Sequence, residues 1–192
     1  MIPVSVIIPA AGNSVRMGTD KAFLLHPDGL TFSRFLVNCY NSFGASPIVV
    51  VVNTKMDQSL LNCNDAVCVV NHNISRGRAW SIRLGLQQVP AEHFCFIQNI
   101  DNPFAEHALL ESLLSQSEKD CYIVPVFNGK GGHPVLIGSD IADFMRRQDT
   151  INNIRDILKS YKRTEVPVKD DRILWNINTP AAYIQFMKTA GR

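Results

Sequence analysis

The fold of this chain is decided by Val4-Ser5-Val6-Ile7-Ile8-Pro9-Ala10-Ala11-Gly12-Asn13-Ser14-Val15-Arg16-Met17-Gly18-Thr19-Asp20-Lys21. The first half is short, apolar and β-branched, which is typical of a strand that is covered on both faces. The second half is rich in small and polar residues and carries two cations, Arg16 and Lys21. Because ligands in an open α/β sheet bind beyond the carboxyl ends of the strands, this stretch predicts a buried strand followed by a ligand-binding loop.

The rest of the chain alternates between strand-like and helix-like segments. Short β-branched runs predict strands at residues 4–8, 47–52, 66–70, 94–99 and 122–126. Apolar residues at helical spacing predict helices at residues 32–42, 57–62, 80–88 and 105–117. We therefore expect one α/β domain over residues 1–192, with a doubly wound, mostly parallel sheet.

The last third of the chain is less regular. It predicts a strand at residues 134–137 and helices at residues 140–147 and 151–159. Two further short strands, at residues 165–168 and 173–175, are expected on either side of a polar turn. Pro180 is expected to open a final helix, because proline is tolerated in the first turn.

Composition and charge narrow the class of protein. Hydrophobic residues make up 46% of the chain and charged residues 19%, which is enough for a full core. The net charge of +2 is spread along the chain, which argues against a nucleic-acid-binding protein. The N-terminal apolar run is too short to span a bilayer and lacks the basic start and cleavage site of a signal peptide. We expect a cytoplasmic protein without membrane partners, either a monomer or a small homo-oligomer.

The cysteine pattern also favours a reducing compartment. The five cysteines form no C-x-x-C pair, and an odd number fits a disulfide framework poorly. Most of them lie within apolar runs, so we expect buried, reduced thiols. They are Cys39, Cys63, Cys68, Cys95 and Cys121.

The loop after the first strand has the composition of an anion-binding site. Small residues allow the backbone to approach a ligand closely, and exposed N–H groups together with Arg16 and Lys21 can hold polyanionic oxygens. The spacing is neither that of a P-loop nor that of G-x-G-x-x-G. Taken alone, the loop is equally compatible with a solvated turn that carries two surface cations.

The same loop closely resembles the signature of the MobA-like nucleotidyltransferases, roughly [L/P]-A-[A/G]-G-x-S-x-R-M-G-x-x-K, and fills every defined position of it. The resemblance implies a nucleotide-diphospho-sugar transferase-like fold of GT-A type. It also implies that the loop wraps the nucleotide and that Arg16 and Lys21 act on the phosphates as catalytic residues. The loop residues assigned to nucleotide binding in this way are Ala10, Ala11, Gly12, Asn13, Ser14, Arg16, Gly18 and Lys21.

Asp101-Asn102-Pro103, after the fourth predicted strand, resembles the D-x-P element of that family, whose Asp holds the metal. A carboxylate is a hard oxygen ligand, and Mg²⁺ usually takes one or two carboxylates together with substrate phosphates. We therefore expect Asp101 to be a catalytic Mg²⁺ ligand. An Asx turn before a proline is the structural alternative for an isolated Asp.

Asn176-Ile177-Asn178-Thr179-Pro180 resembles the closing element of the family, which is often D-I-D-T-P, with N-x-N-T-P in the guanylyl-transferring branch. Both possible carboxylates are amides here, so they supply oxygen without charge and Mg²⁺ affinity should fall. We expect Asn176 to be the second metal ligand and Asn178 to be a helix cap or a further ligand. A turn and capping sequence is the alternative, since Asn favours both.

Two more segments resemble family elements. Residues 77–86 match G-x-x-x-S-[IVL]-x-x-G-[LM], which places Ser81 and Gly85 near the base and ribose. Arg78 and Trp80 replace smaller residues there, and Trp80 is either a stacking partner for a base or, more commonly, a half-buried core indole. Residues 132–135 match G-H-P-V, which places His133 on the acceptor side of the site or leaves it a plain hydrogen-bonding residue.

These elements together predict a nucleotidyltransferase of the EC 2.7.7 type. A phosphate monoester acceptor has a second pKa of about 6, so it is already ionised at pH 7 and needs no general base. The resemblance also bears on the base: Ala11 and the G-H-P-V segment are similar to elements of the cytidylyl-transferring members and favour CTP, whereas the amide-rich closing element is similar to that of the guanylyl-transferring branch and favours GTP. Molybdopterin is the preferred acceptor, and a sugar phosphate or alditol phosphate is nearly as plausible.

Two other interpretations remain open on the sequence. One is a nucleotide-binding regulator without catalysis, which the loss of both closing carboxylates motivates. The other is a dinucleotide-dependent oxidoreductase on the same type of sheet. The oxidoreductase lacks support because the chain has neither G-x-G-x-x-G nor the acidic residue that follows it.

Overall fold

A mixed sheet runs through the centre of the computed structural model, which describes residues 2–56 and 64–189. In this part of the chain the strand order is β3-β2-β1-β4-β7-β5-β6, and β8 pairs with β5 beside this path. The strands are β1 (Val4–Pro9), β2 (Ile48–Asn53), β3 (Val67–Asn71), β4 (Phe94–Ile97), β5 (Cys121–Phe127), β6 (Lys130–Gly131), β7 (Val135–Ile137) and β8 (Lys162–Pro167). The helix predicted at residues 57–62 lies outside the described residues.

Most strand pairs are parallel, as predicted. Strand β1 pairs in parallel with β2 and with β4, β2 with β3, and β5 with β8. Strand β7 lies antiparallel between β4 and β5, with Ile137 opposite Cys95 on one side and Tyr122 on the other. The carboxyl ends of β1, β2 and β4 therefore meet at one edge of the sheet.

The helices cover both faces of this sheet. They are α1 (Phe32–Phe43), α2 (Gly77–Leu86), α3 (His107–Leu114), α4 (Ser139–Arg147), α5 (Ile154–Leu158) and α6 (Pro180–Thr189). Short 3-10 turns occur at Lys21–Phe23, Ile74–Arg76 and Asp171–Leu174. Helix α1 is capped at both ends: the Thr31 side chain accepts a hydrogen bond from Arg34 N, and Gly44 adopts the left-handed conformation after the last turn.

The alternation of side chains along β1 divides the core into two layers. Val6 and Ile8 point to the layer that contains α1, whereas Ile7 points to the layer that contains α2 and α4. All three residues are fully buried, and each such aliphatic side chain contributes about 1.5–3 kcal/mol to stability. The doubly wound, mostly parallel α/β fold is thereby confirmed.

The prediction of a strand at residues 173–175 is wrong. Residues 173 and 174 belong to the 3-10 turn Asp171–Leu174, and Trp175 follows that turn. The Asp170 carboxylate accepts a hydrogen bond from Arg172 N at 2.9 Å, which starts the turn. Nδ2 of Asn102 donates to the carbonyls of Arg172 at 2.9 Å and Trp175 at 2.6 Å. In a strand these two carbonyls would accept hydrogen bonds from a neighbouring strand. Here they accept them from the Asn102 side chain, so the segment does not need a strand partner.

Burial of the cysteines agrees with the prediction at two of the described positions. Cys95 and Cys121 are buried, and burial raises the pKa of the Cys95 thiol to about 12. Cys39 is half-buried, and its pKa is raised to about 11 by burial. Cys68 is exposed, contrary to the prediction, because β3 is the edge strand next to β2. Cys63 lies outside the described residues.

Within residues 2–56 and 64–189, no helix combines the length and the apolar character that crossing a membrane would require.

Candidate active site

The loop that follows β1 is folded tightly against the sheet. Ala10 N donates a hydrogen bond to Val51 O at 2.7 Å, so β1 stays paired with β2 into the loop. Ser14 then adopts a left-handed φ of 48°, and its carbonyl accepts hydrogen bonds from Met17 N and Gly18 N. Reversal of the chain at Ser14 leaves residues 9–14 to line a cavity at the carboxyl edge of the sheet.

This first cavity encloses about 260 Å³ and is built from three segments. It is lined by residues 9–14 and Lys21 of the loop, by Ile74, Gly77, Arg78 and Ser81 around the start of α2, and by residues 99–101 after β4. The N-terminus of a helix attracts anions through its free N–H groups and its dipole. A loop rich in small residues, a helix start and a carboxylate therefore face one space.

Lys21 and Asp101 meet at this cavity, although 80 positions separate them in the chain. Lys21 Nζ lies 3.2 Å from Asp101 Oδ2, and the two side chains are only 15% and 18% exposed. Lys21 Nζ also donates to Asn178 Oδ1. The loop after β1, the turn after β4 and the segment before α6 thus converge on one ammonium group.

The turn after β4 is fastened to the C-terminal segment by backbone groups and by Asn102. Ile177 N donates to Asp101 O at 2.8 Å, which places the Asn176–Asn178 region beside the carboxylate. Asn102 is completely buried, and its Nδ2 reaches the carbonyls of the Asp171–Leu174 turn and of Trp175. The Asx-turn alternative for Asp101 does not describe this arrangement, since the Asp101 side chain contacts Lys21.

The two candidate amide ligands are placed differently. Asn178 Oδ1 contacts Lys21, whereas the exposed Asn176 donates from Nδ2 to Leu174 O at 2.9 Å. The helix cap expected at Asn178 is provided instead by Thr179, whose Oγ1 accepts a hydrogen bond from Ala182 N at 3.2 Å. Of the two amides, Asn178 is therefore the one next to Asp101 and Lys21.

Arg16 and Gly18 lie on the outer part of the loop and do not line the cavity. Arg16 is exposed, and no described residue forms a hydrogen bond or an ion pair with its guanidinium. Gly18 has a φ of 77°, so its place in the signature is explained by the turn of the loop. Of the three residues that were expected to be catalytic, Lys21 and Asp101 lie together at the cavity, and Arg16 does not line it.

Asp101 and Asn178 offer one charged and one neutral oxygen for a cation. Both oxygens contact the ammonium of Lys21, so they face one position. Among the described residues no cluster of three or more His, Cys, Asp or Glu side chains could hold a metal by itself. A hard divalent ion bound here would need phosphate oxygens to complete its shell, which is how Mg²⁺ is usually bound.

Helix α2 divides into a part that faces the cavity and a part that packs on the sheet. Ser81 lines the cavity, and its Oγ accepts a hydrogen bond from Asn71 Nδ2 at 3.0 Å. Gly85 does not line it: a Cβ at Gly85 would lie 2.7 Å from Cγ2 of Ile7, so this glycine permits close packing of α2 on β1. The assignment of Gly85 to nucleotide binding is thus replaced by a packing role.

Trp80 does not face the cavity either. Its ring packs against the guanidinium of Arg76, with the Cζ atom 3.4 Å from the ring centroid, and against that of Arg83 at 4.8 Å. The indole is half-buried, as the sequence favoured, but it belongs to neither layer of the hydrophobic core and makes cation–π contacts instead.

A second cavity of about 540 Å³ adjoins the first and shares Arg78 with it. His133 lines this second cavity, and a 2.7 Å hydrogen bond joins its Nε2 to Nδ2 of Asn99. Burial, with help from the nearby Arg78 and Arg155 and against the effect of Asp101, lowers the pKa of His133 to about 4. The imidazole is therefore neutral at physiological pH and cannot offer a positive charge to an acceptor.

Sequence reasoning did not assign roles to Asn99 or Arg155, and it noted Arg78 only as a departure from the family pattern. Asn99 comes two residues before Asp101, and this position beyond a buried strand was an available signal. Arg155 gave no such signal, because α5 meets the second cavity only in the folded chain.

Known proteins match this chain over most of its length. The model of the family described as MobA-like NTP transferase domain matches residues 6–166. The molybdenum cofactor cytidylyltransferase of Escherichia coli (strain K12) is 25% identical over 187 residues, which is 96% of this chain and 95% of that protein. A probable molybdenum cofactor guanylyltransferase of Natranaerobius thermophilus is 28% identical over 206 residues, with 98% and 97% covered.

Solved structures share the fold. The structure of Rv0371c from Mycobacterium tuberculosis H37Rv superposes with a TM-score of 0.82 at 19% identity and covers 98% of both chains. A structure of Rv0371c in complex with manganese superposes with a TM-score of 0.79 at 17% identity, covering 98% of this chain and 99% of that one.

Proposed function

Because this chain belongs to the MobA-like NTP transferase family, we propose that it transfers a nucleoside monophosphate from an NTP to a small phosphorylated acceptor. The observation that carries the proposal is the 3.2 Å contact between Lys21 Nζ and Asp101 Oδ2 at the mouth of the cavity formed by residues 9–14. A cation and a carboxylate beside a loop of free N–H groups suit a triphosphate and the metal ion that accompanies it.

The reaction is an in-line displacement at the α-phosphorus. An oxygen of the acceptor phosphate forms the new P–O bond, and the bond between the α-phosphorus and the bridging oxygen to the β-phosphate breaks. The electron pair leaves with pyrophosphate. The acceptor phosphate is already ionised at pH 7, so no side chain has to remove a proton.

Repulsion between anions is then the main barrier, and the charges of the site oppose it. Lys21 is placed to contact the phosphates of the NTP, and the exposed Arg16 can reach them only from the outer part of the loop. Asp101 and Asn178 would hold Mg²⁺, with Asn176 as the other candidate from the sequence. When bound there, Mg²⁺ supplies positive charge against the triphosphate oxygens.

For the base and the acceptor, we propose CTP and molybdopterin. Ala11 and His133 of the G-H-P-V segment support CTP, and the cytidylyltransferase of Escherichia coli is a relative over nearly the whole chain. The amides Asn176 and Asn178 favour GTP, and a guanylyltransferase is also among the relatives. A sugar or alditol phosphate acceptor is the alternative, and we place the reaction in the cytoplasm.

The test is pyrophosphate release with each NTP, Mg²⁺ and a panel of acceptors that includes molybdopterin. We expect Lys21→Ala and Asp101→Ala to lower kcat by about 10³-fold, by comparison with cationic groups at other phosphoryl-transfer sites. The matched control is a second Lys–carboxylate pair, Lys162 and Glu118, which are 2.8 Å apart and exposed at the opposite edge of the sheet.

Lys162→Ala and Glu118→Ala should keep kcat, because an exposed pair contributes little. Near-normal rates in both Lys21→Ala and Asp101→Ala would contradict the proposed function. Tight NTP binding without turnover, with every acceptor of the panel, would instead favour the nucleotide-binding regulator.

A further inference from the structure

The second cavity is lined by four cationic side chains and by no carboxylate. The cations are Arg78, Arg155, Lys159 and Arg163. A cavity of about 540 Å³ with this lining attracts an anion that is larger than a phosphate ion alone. Which of the four cations are available to a ligand depends on their partners.

Two of the four cations are already neutralised. Lys159 Nζ lies 2.7 Å from Asp156 Oδ1, and Arg163 Nη2 lies 3.0 Å from Glu165 Oε1. By contrast, the side chains of Arg78 and Arg155 form no hydrogen bond and no ion pair with any residue in the described part of the chain. These two guanidinium groups therefore carry the net positive charge of the cavity.

Arg78 and Arg155 lie close enough to act on the same ligand. Each of them lowers the pKa of His133, and Arg155 also lowers that of Arg78, which is the electrostatic effect of neighbouring like charges. Both side chains also line the second cavity. Two unpaired guanidinium groups thus border the same space.

Arg78 has a further property, since it lines the first cavity as well as the second. Burial lowers the pKa of Arg78, and the nearby carboxylate of Asp101, which lines the first cavity, partly opposes this shift. A side chain at this junction can contact the nucleotide and the acceptor at the same time.

We propose that Arg78 and Arg155 form the subsite that selects a phosphate monoester as acceptor, with Arg78 aligning that phosphate against the nucleotide in the first cavity. The inference rests on the proposed function for the reaction, but the subsite itself is a claim about binding. A guanidinium group binds phosphate oxygens in pairs, so two of them can hold one phosphate in a fixed orientation. The apolar walls formed by Tyr122, Val124 and Leu158 would cover the organic part of the acceptor.

The experiment uses ribose 5-phosphate, a phosphate ester, as the probe and ribose as the control that lacks the phosphate. Binding of the ester is measured from the width of its ³¹P line while α,β-methylene-CTP and Mg²⁺ fill the first cavity. We expect Arg155→Ala to weaken binding of the ester by about tenfold or more, since a charge-assisted pair of hydrogen bonds is lost. Arg78→Ala should weaken binding of both the ester and the nucleotide analogue. An excess of unlabelled ribose should leave the ³¹P line width of the ester unchanged, because ribose lacks the phosphate that the subsite selects.

Arg163→Ala is the matched control, because it removes the same charge from the same cavity but from a side chain already held by Glu165. It should change the affinity for the ester by less than about twofold. Equal losses in Arg163→Ala and Arg155→Ala would show that the total charge attracts the ester and would overturn the subsite. Unchanged affinity in Arg155→Ala would overturn it too.

Two further measurements distinguish failure of the subsite from failure of the proposed function. Binding of the nucleotide analogue to Arg155→Ala should equal that of the wild type, which verifies the fold, and Arg155→Lys should recover part of the affinity for the ester. If no NTP is turned over while the ester still depends on Arg155, the proposed function fails and the subsite stands. If turnover is observed but the ester does not depend on Arg155, the subsite fails alone.

Discussion

Lys21 lines the first cavity and His133 lines the second, and their surroundings determine the positive charge that each cavity offers to an anion. Lys21 is held between Asp101 and Asn178, so an incoming triphosphate competes with a carboxylate for the ammonium. His133 is neutral, because two arginines and burial oppose its protonation. The first cavity thus offers a paired cation, and the second draws its positive charge from guanidinium groups.

The lowered pKa of His133 predicts how stability depends on pH. Its pKa is about 4 in the folded chain against an ordinary value of 6.5, so the unfolded chain binds the proton more readily. Stability is therefore retained above pH 6.5 and falls as the pH drops from 6.5 to 4, by at most about 3 kcal/mol. We expect His133→Gln to lessen this fall, measured by urea unfolding at pH 7, 5.5 and 4.5.

The control for this pH dependence is His72→Gln, since His72 is exposed near the edge strand. In His72→Gln, the free energy of unfolding should fall with decreasing pH as steeply as in the wild type. A wild-type slope no steeper than that of His133→Gln would show that His133 titrates at its ordinary pKa.

Helix α2 and strand β1 form the pair of elements on which both cavities depend. Strand β1 ends in the loop of residues 9–14, and α2 brings Arg78 and Ser81 to the same cavity. The two elements approach closely at Gly85, which faces Ile7. A change in their separation would move one wall of the first cavity relative to the other.

Gly85→Ala tests this approach. The added Cβ would lie 2.7, 3.0 and 3.2 Å from three side-chain carbons of Ile7, so α2 or Ile7 must shift. Overpacking costs about 1–3 kcal/mol, and the better helix propensity of Ala offsets about 1 kcal/mol of that cost. We expect a net loss of up to about 2 kcal/mol in urea unfolding and a weaker affinity for NTP.

Gly12→Ala is the comparison for stability, because a Cβ there meets no atom within 4 Å. It should unfold within about 0.5 kcal/mol of the wild type. If Gly85→Ala is as stable as Gly12→Ala, the contact between α2 and β1 tolerates the methyl group and the packing role of Gly85 is wrong.

At the scale of the whole molecule, the mixed sheet brings three distant segments to one edge. The parallel order of β2, β1 and β4 puts the loop after β1 beside the turn after β4, and Ile177 joins the C-terminal segment to that turn. The site is therefore made from residues near both ends of the chain and from the turn in its middle. Ligands that bind it should stabilise the whole fold by linkage.

Thermal unfolding with and without metal measures this linkage. At a CTP concentration of 100 times Kd, stabilisation is about 2.7 kcal/mol, which for a chain of this size raises Tm by about 5–10 °C. We expect EDTA to remove most of the increase, because Asp101 and Asn178 need Mg²⁺ to approach the triphosphate. The increase should also be small in Asp101→Ala. A Tm increase that persists in full with EDTA would contradict metal-assisted binding.

Residues 4–21 by themselves determined the buried strand, the loop after it and the family, because strand periodicity and a long signature are local properties of the chain. Local pattern also placed Asp101 beyond the end of a strand. Only the tertiary structure decided that Lys21 meets Asn178, that Gly85 packs on Ile7, and that residues 171–174 turn instead of pairing. The physical reason is that these outcomes depend on contacts between segments far apart in sequence, where one buried amide, Asn102, can override the local preference of a strand-like run. That Arg78 and Arg155 line the same cavity belongs to the same class, since no spacing in the sequence relates α2 to α5.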